Sequence, residues 1–241
     1  MLALKLALVG ASIVLATLAA RRFGHSVSGT LSGIPMVAGP IMGFVLIEQP
    51  VAHVRAIALA TLVCLPAMVS HMVCFARAAR HMRWYGALLV ANAVFVAAGW
   101  LLWQIALPLV VVCAVALLSP LAGMAVLPLR RADVPDRTVA VFIPRSELAL
   151  RVAAAIALAA VIMQGAALLP TMVSGLLLAL PINGNVLPCF TLPRHGVAAT
   201  EALLRGFLWG VFGFASFFVV LVAALPTCGA ALAYALAWLA A

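Results

Sequence analysis

Asn183 and Asn185 flank Gly184 in the stretch Pro181 to Pro188, a polar insert in an otherwise apolar run. A carboxamide offers donors and acceptors, so the pair can hold a polar or anionic guest. A second interrupted run reads Gly33-Ile34-Pro35-Met36-Val37-Ala38-Gly39-Pro40. Each proline removes a backbone donor and clashes with the preceding turn, which predicts about one unwound turn in each segment. Unwinding frees N–H groups at the start of one half-helix and C=O groups at the end of the other, each with a partial charge from the helix dipole. The candidate substrate-binding set is therefore Pro35, Gly39, Pro40, Pro181, Asn183, Gly184, Asn185 and Pro188. The competing reading is a pair of kinks that let helices cross closely, with Gly29, Gly33, Gly175 and Gly184 as small packing residues.

Three further residues are candidate gate or relay groups. His71 lies in an apolar run, and a histidine's ordinary titration near neutral pH would suit a proton relay; a hydrogen bond to a neighbouring helix near the cytoplasmic interface is the plainer role. Glu48 and Arg194 carry opposite charges at the ends of the two interrupted runs and would serve as gates, or simply as solvated interfacial charges. Cys64, Met68, His71 and Met72 share one helical face with soft ligands that suit Cu(I). Methionine stripes in apolar helices are usually packing, so no metal site is expected. No cofactor or catalytic residue is expected either. Carboxylates are absent from the centre of every apolar run, which disfavours carboxylate-coupled exchangers and paired-carboxylate enzymes. Nucleophile, phosphate-loop and HExxH patterns are also missing, so the chain does not read as an enzyme.

The elements that must position these residues follow from composition. Of 241 residues, 68% are hydrophobic and 8% charged, and the mean hydropathy is +1.29. Soluble domains carry about 25% charged residues, so the solvent for most of this chain is lipid. The net charge of +9 comes from short basic clusters between apolar runs, a topology signal rather than a nucleic-acid footprint. Unbroken runs of about 20 residues without alternation give an all-α transmembrane bundle, not a barrel. Nine spans are predicted, over 2–20, 27–48, 54–76, 84–102, 105–128, 148–169, 172–193, 203–225 and 227–241, the last of them short. The first is read as permanent because Arg21 and Arg22 follow it, the reverse of signal-peptide charge order. The five cysteines all lie within apolar runs with no CxxC pair and read as small buried hydrophobes.

Nine spans place Arg21, Arg22, Arg77, Arg80, Arg83, Arg130, Arg131, Arg137, Arg145, Arg151, Arg194 and Arg205 on one side, and only Lys5 and Arg55 on the other. The N-terminus is then external and the C-terminus cytoplasmic. An offset of 146 residues aligns Val27–Pro35 with Val173–Pro181, and positions 27–56 share ten identities: Val27, Ser28, Gly29, Leu31, Pro35, Phe44, Leu46, Val51, Ala52 and Ala56. On the charge-derived orientation the two copies are antiparallel. This gives a first repeat of five spans over 1–128, a cytoplasmic linker over 129–147 and a second repeat of four spans over 148–241. Inverted repeats with discontinuous helices are a plan of secondary transporters.

Gly29, Pro35, Glu48 and Arg55 form a pattern that resembles the GlpM-like bacterial inner-membrane proteins: a Gly-to-Pro segment, an apolar half-helix, an acidic interfacial residue and an arginine. In the second copy Arg194 and Glu201 exchange the charges. The likeness covers about 50 residues per repeat and implies a bacterial inner-membrane location rather than any substrate. The interrupted helices are also similar in plan to those of sodium/proton antiporters and bile-acid symporters. The expected function is a small secondary transporter or facilitator of a polar or anionic solute. The alternative is a non-transporting subunit or scaffold for an envelope polysaccharide or lipid pathway. The expected partners are the bilayer and a small-molecule solute, with a homodimer admissible and nucleic acid excluded.

Overall fold

A computed structural model describes residues 6–7, 10–11, 14, 24–127, 145–165 and 168–241. Most of the expected first span over 2–20, Lys5, the Arg21–Arg22 pair, and the linker's Arg130, Arg131, Asp133, Asp136 and Arg137 lie outside the described residues. The described residues are helical with no strand. The helices are α1 (Gly24–Gly33), α2 (Ala38–Glu48), α3 (Val51–Val63), α4 (Leu65–Ala78), α5 (Trp84–Trp103), α6 (Leu109–Val126), α7 (Arg145–Gly165), α8 (Thr171–Ala179), α9 (Ile182–Cys228) and α10 (Ala230–Ala240).

Helix boundaries follow local chemistry. Pro50, Pro108 and Pro170 each precede a first helical residue, in extended conformation and with no donor to lose. The separation of α5 from α6 at Gln104–Pro108 is the one expected from the charge pattern. Within α9, Gly196 has φ 77° and ψ −174°, so the helix kinks there. Only glycine holds that conformation without strain. A cysteine, Cys64, forms the joint between α3 and α4.

Among the described residues, five helical stretches are long and apolar enough to cross a bilayer: Gly29–Glu48, Val51–Ala78, Trp84–Trp103, Leu109–Val126 and Thr171–Cys228. The outward faces carry apolar side chains, with Leu89 73% and Val110 78% exposed. Such a surface suits lipid. The interior is filled by Phe75, Phe95, Phe217, Phe218 and aliphatic residues.

Close approach of backbones sets the interior geometry. A Cβ added at Gly29 would meet the Leu203 carbonyl and the Phe207 amide nitrogen. A Cβ added at Gly175 would meet Ala60 and the Thr61 amide nitrogen. Adding 146 to 29 gives 175, and adding 146 to 61 gives 207, so Gly29–Phe207 and Gly175–Thr61 are one contact with its partners exchanged. Thus α1 packs on the part of α9 beyond Gly196, and α8 packs on α3.

Candidate solute site at the paired helix breaks

The first break, Ile34–Val37, lies between α1 and α2. Around Pro35 the Met36 N–H donates to the Ile34 carbonyl at 2.7 Å, and the Gly39 N–H donates to the Pro35 carbonyl at 2.7 Å. The second break, Leu180–Pro181, lies between α8 and α9. The Ile182 N–H donates to the Leu180 carbonyl at 2.9 Å, and the Asn185 N–H donates to the Pro181 carbonyl at 2.7 Å. Pro181 has φ −78° and ψ 77°, an inverse γ-turn. The two hydrogen-bond patterns coincide at the offset of 146.

The second break is shorter than the sequence predicts. Asn183, Gly184, Asn185 and Pro188 are helical, because the turn at Pro181 starts α9 at once. Pro188 is therefore an interior proline that leaves the Gly184 carbonyl without its i+4 donor. Pro40 is the third residue of α2, where no intrahelical donor is lost.

The two breaks meet. Gly33, Pro35, Ala38, Leu180, Pro181 and Asn183 line one cavity of about 30 Å³. The Asn183 Oδ1 is buried with no hydrogen-bond partner among the described residues. Beyond Leu158, Leu180 and Ile182, which line both spaces, a groove of about 280 Å³ runs along α7 and reaches Asn185. Those three apolar side chains form the partition between the two spaces.

Asn185 organises a partly buried polar cluster. Its Oδ1 accepts from Asn92 Nδ2 at 3.1 Å and pairs with His71 Nε2 at 2.8 Å. A carboxamide oxygen can only accept, so His71 Nε2 carries the proton in this pair. His71 is fully buried, edge-on to Phe95 at 6.5 Å between centroids, and its Nδ1 has no hydrogen-bond partner among the described residues. Asn92 also donates to the Leu88 carbonyl at 3.0 Å. Ser174 Oγ is likewise buried with no partner among the described residues, but it lies in the part of α8 whose Gly175 packs on α3. Buried polar groups are nearly always bonded, so Asn183 Oδ1 at the break and His71 Nδ1 on the far side of the ring that meets Asn185 mark a site with binding capacity to spare.

The corresponding positions at the first break are aromatic. Adding 146 to 71, 88 and 92 gives Phe217, Tyr234 and Trp238, and subtracting it from 185 gives Gly39. The Tyr234 hydroxyl donates to the Gly39 carbonyl at 3.1 Å, and a Cβ at Gly39 would meet the Trp238 ring. Phe217 lies edge-on to Trp238 at 5.3 Å and to Tyr234 at 6.0 Å. The same geometry thus holds polar groups in one half and an aromatic plug in the other.

The remaining sequence candidates lie elsewhere. Glu48 and Arg194 are exposed, line neither space, and Arg194 sits over the Phe190 ring at 5.3 Å. Of the Cys64, Met68, His71 and Met72 face, Met68 lines the break cavity and Met72 packs against Gly184. Outside the apolar segments, Arg80 Nε donates to Glu201 Oε1 at 2.7 Å, which raises the guanidinium above its ordinary value. Sequence reasoning noticed Asn92 and Ser174 without assigning them to the site. The offset of 146 applied to the whole chain would have paired Asn92 with Trp238 and exposed the contrast. No protein-family model, curated protein or solved structure matches this chain.

Proposed function

We propose that this chain is a small secondary transporter or facilitator in a bacterial inner membrane, with nine spans in two inverted repeats and its C-terminus cytoplasmic. The observation that carries the reading is the meeting of two interrupted helices at a cavity lined by Asn183, two residues before the Asn185 that bonds Asn92 and His71. Paired interruptions at equivalent positions are the sequence and structural pointer to a transport site, since irregular backbone at membrane depth must line a cavity or pack on protein. The exchanged contacts of Gly29 and Gly175 support a two-fold relation between halves, with α1–α2 and α8–α9 as the crossing pair.

The free atoms at the site narrow the solute class. Asn183 Oδ1, whose residue lines the cavity, is an acceptor, and behind it His71 Nδ1 is an acceptor and the Gly184 carbonyl lacks its helical donor. A small solute that donates hydrogen bonds, a neutral polyol or an amine, is favoured over an anion. A cavity of about 30 Å³ holds roughly one water, so the solute enters only when the Leu158, Leu180 and Ile182 partition moves.

That small volume favours one other reading, a non-transporting membrane subunit whose breaks are structural. Flux into proteoliposomes separates the two. Neutral polyols, amines and small anions are offered with and without a pH gradient, and Asn183→Ala is compared with the parent protein. Uptake of a donor-bearing solute that falls in Asn183→Ala supports the carrier. Absence of uptake across all three classes supports the subunit.

A further inference from the structure

A groove of about 620 Å³ lies between α4 and α6, away from the breaks. Its floor along α4 is Pro66, Val73 and Arg77, residues on one helical face, and His81 closes its end. From Pro66 to Arg77 is eleven residues, about 16 Å of helix, which is the hydrocarbon depth of one leaflet. The lining is mostly apolar up to the arginine-bearing end, its Ser70 and Ser119 hydroxyls being bonded back to the Pro66 and Ala116 carbonyls, and at that end Arg77, His81 and Arg83 are exposed. Arg77 Nη2 donates to the Val126 carbonyl at 3.2 Å, which holds the guanidinium across the mouth between the ends of α4 and α6.

We infer that this groove binds one anionic glycerophospholipid, with an acyl chain along α4 and the phosphate at Arg77 and His81. Length, apolarity and charge each restrict the occupant. A chain of leaflet depth fits the trough, a basic mouth selects an anionic headgroup, and basic pockets between transmembrane helices are recurrent anionic-lipid sites. A small anion would leave the trough empty, and a zwitterionic lipid, whose phosphate is offset by its own quaternary ammonium, would gain less from the basic mouth than a net anionic one.

The full chain, extracted and stripped of lipid in micelles, is offered phosphatidylglycerol or phosphatidylcholine of matched chains, and adducts are read by native mass spectrometry. The parent protein is expected to retain phosphatidylglycerol at least about fivefold better, the preference that one well-placed basic residue supplies. Arg77→Gln brings the ratio towards one, Arg77→Lys keeps it, and Ala122→Trp, which fills the groove, lowers retention of both lipids. Equal retention by the parent, an unchanged ratio in Arg77→Gln, a lost ratio in Arg77→Lys, unchanged retention in Ala122→Trp, or dimers without lipid would each overturn the assignment.

Discussion

Replacing Asn185 by alanine and Asn183 by alanine should give opposite results, although the two residues are a single position apart from adjacency and chemically identical. Asn185 Oδ1 receives two hydrogen bonds, at 2.8 Å from His71 and 3.1 Å from Asn92. Asn92 keeps the Leu88 carbonyl at 3.0 Å, so truncation leaves one orphan, the His71 N–H, in a fully buried ring. An orphaned buried donor costs about 1–3 kcal/mol, which sets the expected loss near 2 kcal/mol and a midpoint shift of about 4–8 °C. Asn183 Oδ1 has no partner to lose, so Asn183→Ala should change stability by less than about 0.5 kcal/mol. Thermal unfolding in micelles reads both. A cycle of His71→Phe with Asn185→Leu should return a coupling of about 0.6–1.7 kcal/mol, the range found for interhelical bonds in membranes. Equal losses at 183 and 185, or strict additivity in the cycle, would refute the assignment of the cluster as a bonded unit.

Gly29→Ala and Gly175→Ala should each destabilise by about 1–3 kcal/mol through overpacking against main chain, and to a similar extent, because each meets an amide nitrogen of the facing helix; thermal melts that differ widely between them would contradict the shared contact. Leu180→Ala removes part of the partition between the break cavity and the α7 groove and should raise solute flux in proteoliposomes, whereas unchanged flux would show that the partition is not the barrier. Cys228 is exposed at the end of α9 and Cys64 is fully buried, so an impermeant maleimide added to intact cells should label the parent but not Cys228→Ser; labelling only after lysis would reverse the proposed topology.

Much of the architecture was legible because lipid leaves a simple signature. Apolar run length located α5 and α6, and the arginine distribution required the separation at Gln104–Pro108 that the backbone makes. The prolines at 35 and 181 marked both interruptions, since a missing N–H is a local property of sequence. The extent of the second interruption was not legible. Whether Asn183 to Pro188 unwind depends on how the turn at Pro181 launches α9, and that is fixed by hydrogen bonds two to four residues apart rather than by composition. The role of Asn92 was hidden for a different reason. Its partner lies 93 positions away, and only packing brings the α5 face onto the start of α9. His71 was legible as a polar residue in an apolar run, but its depth was not, because burial is a tertiary property.

The exchange of partners between halves has a consequence for assembly. Since α1 rests its glycine on the segment past Gly196 and α8 rests its own on α3, each half borrows its seat from the other. Neither half would be an independent folding unit: during synthesis α5 and α6 can pack on α4, but the seats of α1 and α3 stay empty until the last third of the chain emerges to fill them. Cutting the connection between α6 and α7 and producing the two pieces together should restore the whole, while either piece made alone should be degraded.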